Sequence, residues 1–267
     1  MNIRTPLLRE KESKKVASLD LQNAVIAVLG SKGGVGSTTL SINLAAAFAE
    51  KIVHDAVTLV DANLQQPDAA LMLACEPQHS VVELFKRVES LEHQIVDACR
   101  CDVSSTSSVK LVSPPLDGSA ASQNNLAQLV KVLSAIGAVS NGIVVDLPKT
   151  LDRNLVTLLD LATVIVLVIE PNVASIAATK RWLAAFEDLG YPSARILLVA
   201  NRLGGKFKFV EEKLFASFAG YQIASVPNAY SVSESCALAG APIVVKYPKD
   251  NYSKAMRIVA ERVLAKL

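Results

Sequence analysis

NAVIAVLGSKGGVGSTT, residues 23–39, decides how the rest of this chain is read. Ala24 to Leu29 is an unbroken apolar run of strand length, and Ser37 to Leu40 opens a helix. Between them Gly33, Gly34 and Gly36 place no Cβ in the way, so successive backbone N–H groups can curl around an anion. The helix N-terminus behind them adds partial positive charge. The stretch therefore reads as a strand, a phosphate cradle and a helix, the opening unit of an α/β sheet.

Further along the chain, Leu40, Leu44, Ala47 and Phe48 recur at helical spacing, which predicts an amphipathic helix over 37–50. Ala56 to Val60 is a short apolar run ending in Asp61. A carboxylate at the C-terminal end of a strand points into the crevice where open α/β sheets bind ligands, which makes Asp61 a candidate outer-sphere partner for Mg²⁺. Two short helices are expected between Ser80 and Cys101, the first built on Val81, Leu84 and Phe85. DVSSTSS (102–108) reads as a polar turn before a strand over Val109 to Val112, and Leu126, Val130, Leu133 and Ile136 form one face of the next helix.

GIVVDLP (142–148) has the form of a Walker B strand, and its Asp146 would stand beside the cradle and hold Mg²⁺ through water. Ala162 to Ile169 is the longest apolar strand, which suits a central place in the sheet. A helix over Val173 to Leu189 follows, with Ile176, Trp182 and Phe186 inward, then strands over Arg195 to Val199 and Gln222 to Val226. The last helix, Tyr252 to Leu267, puts Tyr252, Ala255, Met256, Val259 and Val263 on one side. GKFKFVEEK (205–213) is the one basic and aromatic cluster, and its two glutamates favour a helix start with a solvated face.

Composition fits one class. Hydrophobic residues make up 51% of the 267 and aromatics 5%, the balance that a parallel sheet covered by helices on both faces requires. We expect a polar tail over 1–20, flexible in solution, and a single doubly wound, mostly parallel α/β domain over 21–267. The net charge of +2 comes from that tail, which holds five Lys or Arg against three acids. The rest is balanced, which argues against strong nonspecific binding to nucleic acid. No apolar run reaches the ~18 residues of a membrane span, and the N-terminus lacks the apolar segment of a secretory signal. Cys75, Cys99, Cys101 and Cys236 show no paired spacing of the zinc kind.

The cradle departs from the usual Walker A pattern in two places, with Ser31 where the first Gly belongs and Ser37 where the Lys belongs. Thr38 stands where a Mg²⁺-ligating hydroxyl belongs, and Lys32 precedes the glycines. The run Lys32, Gly33, Gly34, Val35, Gly36, Ser37, Thr38, Thr39, opening a helix after an apolar strand, resembles the deviant Walker A of the MinD/ParA family of P-loop ATPases. The resemblance implies ATP or ADP with Mg²⁺ as ligands and a sandwich homodimer in which Lys32 reaches the phosphates held by the partner. Asn201 and Arg202 would lie at the adenine, with Pro227 and Asn228 as the pocket's other wall. The family's second motif ends its strand in Asp-x-Asp, and here the second position is Asn63. An amide can hold a water but cannot take its proton.

Losing a positioned base typically costs about 10²–10⁴ in rate, and losing one stabiliser of developing charge about 10²–10³. ATP binding with weak or absent hydrolysis is the expectation. After Asp146 the family continues with a glycine-containing switch, whereas here Lys149 and Thr150 follow Pro148. That DLP-plus-basic form is similar to the CpaE/TadZ branch of Tad (Flp) pilus assembly. The branch implies a cytoplasmic factor that marks where the pilus machinery assembles, often the cell pole. One rival is an active positioning ATPase of the MinD, FlhG or ParA kind, which needs a catalytic Asp at 63. Another is an electron-transfer protein like the nitrogenase iron protein, which needs two cysteines placed to hold a cluster across the dimer.

Overall fold

The structure, a computed structural model, describes residues 24–51, 57–117, 119, 123–204 and 208–267. The expected tail over 1–20 lies outside the described residues.

Eight strands form one sheet: β1 (Val25–Gly30), β2 (Val57–Asp61), β3 (Cys101–Val103), β4 (Thr106–Val112), β5 (Ile143–Asp146), β6 (Val164–Ile169), β7 (Ile196–Leu203) and β8 (Gln222–Pro227). Their spatial order is β3-β4-β2-β5-β1-β6-β7-β8, parallel throughout except for the antiparallel β3–β4 edge. β1 is paired on both sides, with Val28 opposite Asp146 of β5 and Gly30 opposite Val168 of β6. Every residue of β1, β2, β5 and β6 is buried, as parallel strands covered on both faces demand.

The helices are α1 (Ser37–Ala49), α2 (Ala69–Met72), α3 (Val81–Lys86), α4 (His93–Ala98), α5 (Gln123–Gly137), α6 (Arg153–Leu161), α7 (Val173–Asp188), α8 (Lys208–Ser217), α9 (Tyr230–Leu238), α10 (Ile243–Lys246) and α11 (Asn251–Leu264). The pleat sends Ile26 and Val28 into a core shared with α1, α10 and α11, and Val25, Ala27 and Leu29 into a core shared with α3, α5, α6 and α7. α1 carries no charged residue, and Leu40, Leu44 and Phe48 are almost fully enclosed beneath α11. The helix that opens the cradle is therefore a core helix, fixed by packing along its length.

Three expectations change. Residues 102–108 are not a turn alone: Cys101–Val103 and Thr106–Val112 pair as a hairpin with a register shift at Asp102/Val103. Ser and Thr at a sheet edge give no alternating apolar signal, yet their backbone still completes the ladder. The buried face of α5 is Leu129, Val132, Leu133 and Ile136, with Val130 only partly covered, and the Leu126 side chain lies outside the described residues. α6 went unread although Asp152 caps it, accepting from Leu155 N at 2.8 Å, and Leu155, Leu158 and Leu159 follow at i, i+3, i+4 spacing.

Candidate functional site

The loop between β1 and α1 is shaped by its glycines. Gly34 and Gly36 sit at φ +81° and +85°, where an L side chain is strained. Space around Gly33 and Gly34 is open to 4 Å, so their backbone faces out. A Cβ on Gly36 would instead lie 2.7 Å from Asn201 Nδ2. That amide donates to Val35 O at 2.8 Å, so the end of β7 holds the loop from behind. Ser31 anchors the other end: its N donates to Val168 O (2.9 Å), its Oγ meets Ser175 Oγ (2.9 Å), and Trp182 Nε1 donates to its carbonyl (3.1 Å). Ser37 is buried in the first helical turn, and its carbonyl accepts from Ser41 Oγ at 2.9 Å.

Two carboxylates lie below the cradle, on adjacent strands and in register, Asp61 opposite Asp146. Asp146 accepts from Thr38 Oγ1 (2.6 Å) and from Ser41 Oγ (2.9 Å). Asp61 accepts from the N–H groups of Asn63 (3.0 Å) and Ala69 (3.1 Å). Both are buried, and burial pushes both well above the usual carboxylate range; the Asp146 charge pushes Asp61 further, while the Thr38 and Ser41 hydroxyls pull Asp146 back. Two enclosed carboxylates at a phosphate loop, one holding Thr38, are a donor set for a hard divalent cation with retained waters.

Glu170, at the end of β6, collects the loop's cations. Lys32 Nζ lies 3.6 Å from Glu170 Oε2, Arg202 Nη1 donates to Oε1 at 2.5 Å, and Asn172 Nδ2 donates to Oε2 at 2.9 Å. Arg202 has φ +58° beside the register shift that separates Ala200 from Leu203. Arg202, expected at a base, and Lys32, expected in reach of a partner, both turn onto Glu170 within one chain.

Asn63 is turned to its own loop, its Nδ2 donating to Gln66 O at 2.7 Å. Beyond the cradle a cavity of about 270 Å³ opens, lined by Gly36, Thr39, Met72, Asn201, Arg202, Asn228, Ala229, Tyr230, Ser233, Glu234, Ala237 and Tyr252. Pro227 closes β8 without lining it; Asn228 and the start of α9 form that wall. Tyr252 is almost fully enclosed, and its Oη is, among the described residues, the one buried side-chain polar atom without a hydrogen-bond partner. α9 and Tyr252 were missed because α9 has almost no one-sided apolar pattern, and Tyr252 read as core.

An open backbone cradle, a paired carboxylate floor beside a hydroxyl, and a half-open cavity with amide and hydroxyl walls fit a nucleotide with Mg²⁺. Gly33 to Thr38 would hold phosphates, Thr38 and, through water, Asp61 and Asp146 the metal, and the cavity at Asn201 and Asn228 the base. When bound, the metal supplies positive charge that offsets the crowded phosphate oxygens.

A profile of the AAA domain family matches residues 23–190, and the chain belongs to that family. It is 25% identical over 242 residues to an uncharacterized ATP-binding protein of Methanocaldococcus jannaschii, a match covering 88% of each chain. A 42% identical match to an ATPase ASNA1 homolog of Trypanosoma cruzi spans 59 residues, 22% of this chain and 15% of that protein. Among solved structures, a ParA family ATPase from Chlorobium tepidum superposes with a TM-score of 0.77 at 19% identity, over 90% of this chain and 99% of that one. MinD from Pyrococcus horikoshii, solved with Mg-ADP, gives 0.73 at 20% identity over 91% and 98%. The fold is that of the MinD/ParA P-loop NTPases.

Proposed function

We propose that the chain binds ATP or ADP with Mg²⁺, dimerises through the nucleotide, hydrolyses ATP weakly or not at all, and serves as a MinD-like localisation and assembly factor for a Tad (Flp) pilus of the CpaE/TadZ kind. The observation that carries the nucleotide reading is the Thr38–Asp146 bond at 2.6 Å beneath a loop whose Gly33 and Gly34 backbone is open. The hydroxyl, the two carboxylates and the open loop stand together although Ser37 occupies the place of the loop lysine and Asn63 that of the water-positioning carboxylate.

Weak turnover follows from those two exchanges and from the Asn63 amide being engaged with Gln66 O. Affinity is reduced but not abolished, since one charge-assisted hydrogen bond is worth about 1.5–3 kcal/mol, about one to two powers of ten. The pilus role rests on the resemblance carried by Lys32 to Thr39 and by Asp146-Leu147-Pro148-Lys149. Recruitment to the cell pole and contact with pilus machinery belong to that reading, with no specific nucleic acid as partner. Among the described residues no helix is long and apolar enough to cross a membrane.

The test compares ATP turnover of the native chain with that of Ser37→Lys combined with Asn63→Asp. We expect little turnover natively and a gain in the double variant of at least about a hundredfold. Native turnover as fast as that of an ordinary MinD/ParA ATPase would remove the scaffold reading and leave an active positioning ATPase.

A further inference from the structure

The loop lacks a lysine of its own at Ser37, and its neighbour Lys32 is drawn toward Glu170 on the β6 side. A different cation stands on the opposite flank. β5 lies on the other side of β1, and Leu147 N donates to Val28 O at 2.9 Å, so the chain leaving β5 continues alongside the end of β1. Lys149 follows two residues later. Its side chain lies beside the end of β1, where the loop begins: a Cβ built on Gly30 would meet Val35 Cγ2 at 2.9 Å, Lys149 Cε at 3.1 Å and Lys32 O at 3.2 Å. Lys149 is exposed, and among the described residues it enters no hydrogen bond or ion pair with another side chain.

The sheet serves as a ruler for which end of a nucleotide lies there. The cavity is walled by Asn201 and Arg202 within β7 and by Asn228 just after β8, two and three strands from β1 on one side. Asp146 and Asp61 end β5 and β2, on the other side. With neighbouring strands about 4.8 Å apart, a nucleotide based at β7/β8 and running across the β1 loop points its last phosphoryl group toward β5. Lys149 leaves β5 three residues after Asp146, whose carboxylate accepts from Thr38 Oγ1.

We infer that Lys149 is the cation that recognises the terminal phosphoryl group, standing in from the end of β5 for the lysine absent at position 37. This rests on the nucleotide reading above and adds to it a residue and a selectivity: the isolated chain should prefer a triphosphate to a diphosphate because of Lys149, whereas Lys32 acts only when a second copy is present.

The experiment is calorimetry of Mg-ATP and Mg-ADP on the full chain, native and with Lys149→Met or Lys149→Arg, at a concentration where it is monomeric. Lys149→Met should weaken ATP about ten- to a hundredfold, with ADP changed less than about threefold. Lys149→Arg should keep most of the preference. Because Lys149 is exposed, the melting temperature without ligand should not move in Lys149→Met, which excludes unfolding as the cause. An unchanged ATP-to-ADP ratio in Lys149→Met, or an equal loss of both nucleotides, overturns the assignment while the nucleotide reading stands. A native chain that takes up neither nucleotide overturns the nucleotide reading, and this assignment with it.

Discussion

Lys32 and Lys149 flank one loop but answer to different neighbours, and the difference shows how a single carboxylate can govern a site. Glu170 holds Lys32 at 3.6 Å and Arg202 at 2.5 Å, with its own side chain only 10% exposed. If Lys32 is to reach a nucleotide in a second copy, it must first leave Glu170. The Lys32 end of this pair is about one-third exposed, so the contact belongs with surface ion pairs worth about 0.2–1 kcal/mol. We therefore predict that Glu170→Gln tightens ATP-dependent dimerisation by about two- to fivefold, measured by sedimentation equilibrium. A weaker or unchanged dimer would mean that Glu170 does not restrain Lys32. At this scale much was legible in the sequence. The placement of Thr38, Asp61 and Asp146 beside one another follows from motif order, since each sits at a strand end or helix start that an apolar run announces. Glu170 and Tyr252 were not legible as site residues, because their significance depends on partners, or the lack of one, that only the tertiary fold brings about.

The loop and α1 act as one element, and their glycines divide the labour between conformation and access. Gly36 is held in the left-handed region with Asn201 against it, whereas nothing lies within 4 Å of a Cβ on Gly33. Gly36→Ala should cost about 1–2 kcal/mol for the backbone alone, and about 1 kcal/mol more if the Asn201–Val35 bond is lost. Gly33→Ala should stay within about 0.5 kcal/mol of the parent in urea unfolding, as an exposed change does, yet lose nucleotide. Equal stability losses in the two variants would contradict this division. Elements with strong periodicity, such as β1, β6 and α11, were readable to within a few residues. The β3–β4 hairpin and the four-residue helices α2 and α10 were not: the hairpin's Ser and Thr give no alternation, four residues are too few to show a helical period, and pairing or packing against larger elements fixes them.

At the scale of the whole molecule, the buried carboxylates tie folding to pH. Asp61 and Asp146 bind protons more tightly folded than unfolded, so their contribution favours the folded state at low pH and is lost as pH rises. In metal-free buffer, stability should decline from pH ~4 toward pH about 7, where Asp61 titrates. Mg²⁺ with nucleotide should reverse that decline most strongly at neutral pH, and Asp61→Asn should flatten it. Melting temperatures in EDTA that rise steadily across this range, in parent and Asp61→Asn alike, would contradict the coupling. The strand order that sets the two carboxylates side by side could be expected only as a class of sheet; which strands would be neighbours depended on crossovers that no single stretch encodes.

The proposed function requires the loop to grip a nucleotide without a lysine at position 37. Isothermal titration of Mg-ATP into the native chain, with phosphate release followed in the same sample, tests that claim directly. We predict saturable heat at about one nucleotide per chain and turnover at least about a hundredfold below that of a MinD/ParA ATPase with an intact site. No heat up to millimolar Mg-ATP would contradict it.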